Sequence, residues 1–497
     1  VKFSIIAYVL GRLVLLLGLT MLPSLGWAAW DEEIIAGAAL LATVALCAVL
    51  GGALCLLGRG ASPNLYQREA LILVTFGWVI AGVLSSLPFV LSGALSPVGA
   101  LFESFSGLTT CGASVIDDLD ALPRSLLFWR CFTHWLGGIG IIVLYLVVLP
   151  ALGTGGRMLL AFESSGAPSG SPINLRLRES VLLVTKVYCT LTVLQTAALM
   201  GIGGMGIYDA LCHTFGTLAT GGFSTQQASV AAYDSVAVEC VIILFMIFGA
   251  TSFSLHHRLW HGQWTAFLRD PEWRLFIGVL AIGVALCTAN VMGWFGVAAR
   301  EPEAAELGVG AARALRDAAF TVTSVMTNTG FVTADFDQWP YFSRMLLVIL
   351  MFIGGCAGST SGGIKVVRVY VLAKILYFRL ENLFRPHLVR TVRLRGEVIR
   401  EQAQKDVTTF FMAFLVTFAV GCLAMSAWGL SFESAASAVA ACMTCTGPGL
   451  GIVGASESYS AVPAGGQITL VVLMVLGRLE LLSALALLLP SFWRPGN

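Results

Sequence analysis

Ten predominantly apolar runs, residues 5–22, 34–57, 70–91, 126–149, 181–203, 236–253, 275–297, 345–376, 407–430 and 468–490, leave this chain very few ways to fold. A hydrocarbon layer about 30 Å thick is crossed by about 20 apolar residues in a helix. No water reaches the backbone there, so only helices and closed barrels can span it. These runs are too long and too uniformly apolar for barrel strands. The expected fold class is an all-α polytopic membrane protein crossing the bilayer ten times. Composition agrees, with 57% hydrophobic and 11% charged residues.

The charges between the runs set the orientation. With the amino terminus inside, the inner segments and adjoining run ends hold 22 Lys and Arg against 9 Asp and Glu, and the outer ones 6 against 18. Arg478 and Glu480, both within the last run, complete the totals of 29 and 28. Positive charge gathers on the cytoplasmic side, so the amino terminus is expected there. The first run lacks a small-residue cleavage site and reads as a span, not a removable signal. Twelve cysteines, mostly in apolar runs, read as packing residues and not as a disulfide framework.

Four shorter apolar segments, each too short to cross, lie after the third, fifth, seventh and ninth runs, the pattern of re-entrant helices entering from outside. Each leads into a hydroxyl, thiol or amide residue and then a glycine. Aligned on Gly112, Gly222, Gly330 and Gly447, each has an alanine twelve residues upstream: Ala100, Ala210, Ala318 and Ala435. The glycines are 110, 108 and 117 residues apart. The organisation expected is a pair of spans (1–69) followed by four units, 70–150, 151–258, 259–405 and 406–497. Each unit reads as span, short helix, bend and span, and parallel repeats of this kind surround an axis along the membrane normal.

Non-helical backbone at membrane depth is tolerated only when buried in protein or lining a watery cavity. Four glycine-containing bends at one axis would offer rings of carbonyl oxygens in place of an alkali cation's hydration shell. The short helices would aim their partly negative carboxyl ends at the same point. Their starts are expected at Ser96-Pro97 and near Asp209, Asp317 and Glu433. The eighth run is too long for one straight span, and Gly354-Gly-Cys-Ala-Gly-Ser-Thr-Ser-Gly-Gly363 should break it at mid-membrane. Ile364 follows where a Walker loop needs Lys-Ser/Thr, so nucleotide binding is rejected. A central Arg478 costs roughly 2.5–3.5 kcal/mol on insertion scales and should face the bundle or a cavity.

These residues resemble the Trk-type potassium-uptake membrane subunits, of the superfamily that includes Ktr and plant HKT transporters. The likeness covers almost the whole chain, and the two leading spans follow Trk and not Ktr. It implies potassium uptake across a bacterial inner membrane, with K+ as the transported ion and no organic cofactor in this chain. It places a selectivity filter at Thr110, Cys111, Gly112, Thr220, Gly221, Gly222, Asn328, Thr329, Gly330, Cys445, Thr446 and Gly447. It also implies a gate built from Gly354, Gly355, Gly358, Ser359, Thr360, Ser361, Gly362 and Gly363, with Arg478 below the filter. The implied partners are a second copy, as a homodimer, and a cytosolic nucleotide-binding (NAD, ATP or ADP) ring subunit of the TrkA type. Serine at the first-repeat glycine goes with sodium preference in the plant branch, so Gly112 points to potassium. Cys111 and Cys445 depart from the hydroxyl or amide residues expected, with little consequence where carbonyls are the ligands.

The basic stretch Lys365–Lys405 reads as lipid-headgroup contact or a docking surface, with no nucleic-acid partner. His134 reads as a packed membrane histidine, and His256, His257 and His261 as solvated. Cys442 and Cys445 have redox spacing but fall in the fourth short helix and its bend. A secondary transporter of another small solute would need inverted repeats, and an enzyme would need a catalytic set; a mixed K+/Na+ transporter stays open. One glycine per bend makes fewer ion sites than a Thr-Val-Gly-Tyr-Gly loop. The expected discrimination against sodium is therefore moderate. Rubidium and sodium fluxes in liposomes check this, the expected ratio lying below that of the most selective potassium channels.

Overall fold

The computed structural model describes residues 3–60, 67–147, 173–294, 310–387, 390–395, 397–479 and 481–494. The chain is helical. Among the described residues the strands amount to one antiparallel hairpin, Arg393–Leu394 with Glu397–Val398, in the basic segment between the eighth and ninth spans.

Helices occupy all ten apolar runs, but not all are straight rods. Among the described residues, six are long and apolar enough to cross a membrane: Phe3–Trp30, Ile34–Leu57, Arg68–Leu91, Val181–Gly201, Pro271–Val291 and Glu401–Ala427. Arg124–Val147 fills the fourth run and carries Arg130 and His134 in its interior. The sixth run departs from expectation: Val236–Gly249 turns by 103° into Phe253–Trp260. The eighth breaks as expected, Tyr341–Ile353 ending at Gly354 and Val366–Phe384 resuming after the loop. The tenth also breaks. Ala464–Arg478 stops at Arg478, and a separate short turn, Leu482–Ala486, follows.

The membrane-length helices turn apolar side chains outward, Leu423 being 73% and Val49 69% exposed. In water such surface would be a liability; in a bilayer it is what a span needs. The four short helices, Pro97–Leu108, Ile207–Leu218, Ala311–Met326 and Phe432–Thr444, are instead buried along most of their length. They are the centre of the molecule. Their starts follow the sequence in three cases: Ser96 caps Gly99 with Pro97 next, Ser431 caps Ser434, and Asp209 and Glu433 sit in first turns. The third begins at Ala311, so Asp317 lies beyond the first turn and pairs with Arg313 at i,i+4 instead.

The two leading spans form a hairpin on the flank of the first unit. Gly11 and Gly51 face each other so closely that an added Cβ on Gly51 would lie 2.8 Å from the Gly11 carbonyl oxygen. Small residues allow this approach where no hydrophobic drive acts between helices. The hairpin's outer turn is tied to the fourth span by Glu33, which accepts from the Arg124 N–H at 2.6 Å and the Ser125 N–H at 3.1 Å. Gly51→Leu should pry the hairpin apart, costing about 1–3 kcal/mol. A lower thermal midpoint in detergent is the expected reading.

Candidate functional site

Each short helix ends in the same way. Thr110, Thr220, Asn328 and Cys445 take φ of 53°, 53°, 56° and 56°, and the glycines two residues on, Gly112, Gly222, Gly330 and Gly447, take 82°, 80°, 84° and 96°. Between them, Cys111, Gly221, Thr329 and Thr446 donate their N–H groups to the carbonyls of Ser106, Gly216, Ser324 and Ala441, each at 2.8 Å. That bond resembles the helix-ending pattern in which a left-handed residue turns the chain off its helix. A threonine held left-handed costs about 1–3 kcal/mol, a strain that persists only where its surroundings over-determine it.

The four bends meet. An added Cβ on Gly112 would fall 2.0 Å from the Gly221 carbonyl oxygen, on Gly222 2.1 Å from that of Thr329, and on Gly330 2.1 Å from that of Thr446. On Gly447 it would fall 2.8 Å from the carbonyl oxygen of Cys111, which closes the ring. Glycine is therefore required twice over, by positive φ and by the neighbouring backbone. Among the described residues, none of these four carbonyls accepts a hydrogen bond. The segments following the glycines line a cavity of about 110 Å³ to which all four glycines contribute, with Ser114, Ser224, Gln226, Gln227 and Tyr459 around it. Tyr459 fastens the fourth bend to the first, its hydroxyl donating to the Gly447 carbonyl and its N–H to the Ser114 carbonyl, both at 2.8 Å.

The broken stretch Gly354–Gly363 lies on the other side of the ring, against the carboxyl ends of the short helices. The Thr360 hydroxyl donates to the Leu218 carbonyl at 2.7 Å, and the Gly363 N–H to the Thr444 carbonyl at 3.1 Å. Gly362 lies so close that a Cβ would overlap the Thr444 carbonyl. Gly355 donates to the Ser361 hydroxyl at 2.9 Å, the Gly358 carbonyl accepts from Phe253, and the Ser359 hydroxyl closes on the Cys356 carbonyl at 2.6 Å. The Lys365 ammonium caps the loop at the Ser361 carbonyl. Arg478 reaches in from the broken tenth span, its Nη1 donating to the Thr360 carbonyl at 2.9 Å. Every residue expected at the bends and the loop is thus in one contiguous region; Glu480 lies outside the described residues.

The family described as "TrkH: Cation transport protein" matches residues 36–493. The chain belongs to the TrkH family. It is 36% identical over 496 residues to the Trk system potassium uptake protein TrkH of Salmonella typhimurium, covering 99% of each chain. With the protein of the same name from Halomonas elongata it shares 37% over 502 residues, covering 99% of this chain and all of that one. The crystal structure of the potassium transporter TrkH from Vibrio parahaemolyticus superposes with a TM-score of 0.89 at 33% identity, covering 99% of this chain and 100% of the other. The TrkH family is one of transporters, not enzymes.

Sequence reasoning missed what stands behind the ring of this TrkH-family chain. Glu103, in the first short helix, and Arg130, in the fourth span, form a buried ion pair at 2.5 Å. Glu103 also accepts from the Val115 N–H at 3.0 Å, and Arg130 donates to the Ser224 carbonyl at 3.0 Å. The pair therefore holds the first two bends from outside. The Arg130 guanidinium lies 3.5 Å from the Phe223 ring centre, and the His134 ring, one turn further on, stacks on Phe223 at 4.0 Å. His134 also fills the space beside Gly221 where a Cβ would be. A glutamate in an apolar short helix with an arginine in the next span was the available signal. His256 is a correction: it is buried, with Nε2 2.9 Å from the Phe248 carbonyl across the 103° bend. Removing one partner of a buried pair costs about 3–5 kcal/mol. Glu103→Gln should lower thermal stability in detergent by about that amount, while Glu103→Gln with Arg130→Met should recover much of the loss.

Proposed function

We propose that this chain takes up potassium ions across a bacterial inner membrane, through a pore whose narrowest part is the ring of four bends. The observation that carries the reading is the closed circle in which each glycine abuts the carbonyl of the next unit. Carbonyls free of protein donors, presented at membrane depth, can take the place of a cation's water. The short helices add about half a negative charge each at their carboxyl ends, directed at the same region. A membrane potential then supplies about 2.3 kcal/mol per charge for each 100 mV.

On this reading Thr110-Cys-Gly112, Thr220-Gly-Gly222, Asn328-Thr-Gly330 and Cys445-Thr-Gly447 form the filter. The segments 70–150, 151–258, 259–405 and 406–497 are its four repeats, with 1–69 outside them. The Gly354–Gly363 loop is a gate, supported by its bonds to helix carboxyl ends and to Arg478. A positive charge beneath the filter opposes a cation and raises the barrier to its passage. The amino terminus is cytoplasmic, which puts the basic segment beyond the gate loop on the cytoplasmic side. The relatives' description as members of a Trk system supports a membrane subunit working with others, here a second copy and a nucleotide-binding ring of the TrkA type.

Proteoliposomes loaded with potassium and assayed for rubidium uptake at fixed voltage test this. The wild-type chain should accumulate rubidium, and Gly222→Ala, whose methyl would collide with the Thr329 carbonyl, should reduce uptake at least about tenfold in a folded protein. Arg478→Ala should raise flux or loosen selectivity. Uptake unchanged by Gly222→Ala would refute the pore.

A further inference from the structure

We infer that Asn328 is a positioning residue that couples the gate loop to the filter, through one directed chain of buried hydrogen bonds running into the fourth repeat. The inference rests on the filter and gate reading proposed above and concerns how the two are linked.

The chain's direction follows from chemistry. At one end the Gly355 N–H can only donate, and it donates to the Ser361 hydroxyl at 2.9 Å. That hydroxyl in turn donates to Asn328 Oδ1 at 3.0 Å. Asn328 Nδ2 faces the Met351 carbonyl at 2.9 Å, which can only accept, so the amide's orientation is fixed without ambiguity. Its second hydrogen goes to the Thr446 hydroxyl at 2.7 Å. Thr446 passes the chain to the Thr444 hydroxyl at 2.7 Å, and Thr444 ends it on the Ala440 carbonyl at 2.7 Å. Every hydroxyl along the way donates once and accepts once. All four side chains, and the three residues whose backbone groups join them, lie in the buried interior, where such a chain is electrostatically strong and an interrupted one is costly.

The chain joins the two functional parts at their working atoms. Ser361 belongs to the loop. Thr446 is the residue whose carbonyl abuts Gly330 in the ring, and Thr444 offers its own carbonyl to Gly363 of the loop. Asn328 is the one amide among the four left-handed positions, the others being Thr110, Thr220 and Cys445. A hydroxyl or thiol there could not accept from the loop and donate to both Met351 and Thr446. Displacement of the loop therefore pulls through Asn328 on the third and fourth bends, whereas at the second short helix it releases only the Thr360 bond to Leu218, and the first two bends stay braced by Glu103 and Arg130. Opening and ion discrimination become one coupled event.

The test compares sodium with rubidium uptake by the purified chain in proteoliposomes. Ser361→Ala and Thr446→Val should each raise the sodium-to-rubidium ratio about threefold. The double variant should shift it no further than the larger single change, because both cut the same chain. If Ser361→Ala does not fold, Asn328→Gly, which keeps the left-handed backbone, closes the same cycle with Thr446→Val. A double variant shifted about ninefold, the product of independent effects, overturns the coupling. So does Ser361→Ala that raises both fluxes alike at an unchanged ratio. Those outcomes leave the pore reading standing if Gly222→Ala still blocks uptake; loss of that block would instead sink the filter assignment itself.

Discussion

A carbonyl oxygen that is buried at membrane depth without a hydrogen bond costs several kcal/mol, and no membrane protein keeps one without cause. This chain keeps four together, at Cys111, Gly221, Thr329 and Thr446. The rest of the fold can be understood as what makes that arrangement tolerable. Each bend is forced into a left-handed residue and a positive-φ glycine, and each uses its own N–H to finish the helix before it. The amide groups are spent locally, and the carbonyls are left to the ring. The short helices hold this geometry because they are buried on nearly all sides, while lipid-facing residues are left to the long spans.

The ring is four-fold in backbone but not in its supports. The first short helix contributes Glu103, and Phe223, after the second bend, contacts both Arg130 and His134. The second bend also has glycine before its positive-φ glycine, at Gly221, because the His134 ring occupies the place of a side chain. The third and fourth bends are instead tied by polar side chains, Asn328, Thr446 and Thr444, which the loop joins through Ser361 while its Thr360 reaches the second short helix. A ring four-fold in backbone thus carries an asymmetric scaffold, braced by an ion pair on one half and hydrogen-bonded to the Gly354–Gly363 loop on the other.

How much of this could be read from the sequence follows from the range of the signals. The glycines, the alanines twelve residues before them and the apolar length of each run are local, and they sufficed to place every bend. The glycine-serine stretch announced the break in the eighth run for the same reason. The bends at Gly249 and after Arg478 were not legible. Gly249-Ala-Thr-Ser252 and the charges flanking Leu479 stand out from the apolar runs around them, but neither dictates a break, and both breaks are set by what packs against them. Gly249 and Ala250 offer their carbonyls to Thr360 and Cys356, and Gly477 lies so close to the Met443 carbonyl that no side chain would fit. Asp317 was misplaced because an amphipathic helix with Arg313 and Arg316 extends one and a half turns before it. The Glu103–Arg130 pair needed knowledge that residues 27 apart face each other, which only the tertiary fold supplies.

The hydrogen bonds of the loop proposed as the gate set what its withdrawal would cost. Thr360 and Gly363 occupy the carbonyls of Leu218 and Thr444, the negative ends of two short helices. Withdrawing the loop into lipid would strand both carbonyls and the loop's own polar backbone, at several kcal/mol for each group. Withdrawing it into a water-filled passage strands neither, because water and an entering cation bind the freed helix ends, and the field that draws a cation there is already in place. On the proposed gate reading, the loop and a conducted ion compete for the same oxygens. A loop rich in serine, threonine and glycine suits that exchange, since its hydroxyls and exposed amides are as well satisfied by water as by protein, whereas an apolar plug would have to be lifted against its own burial.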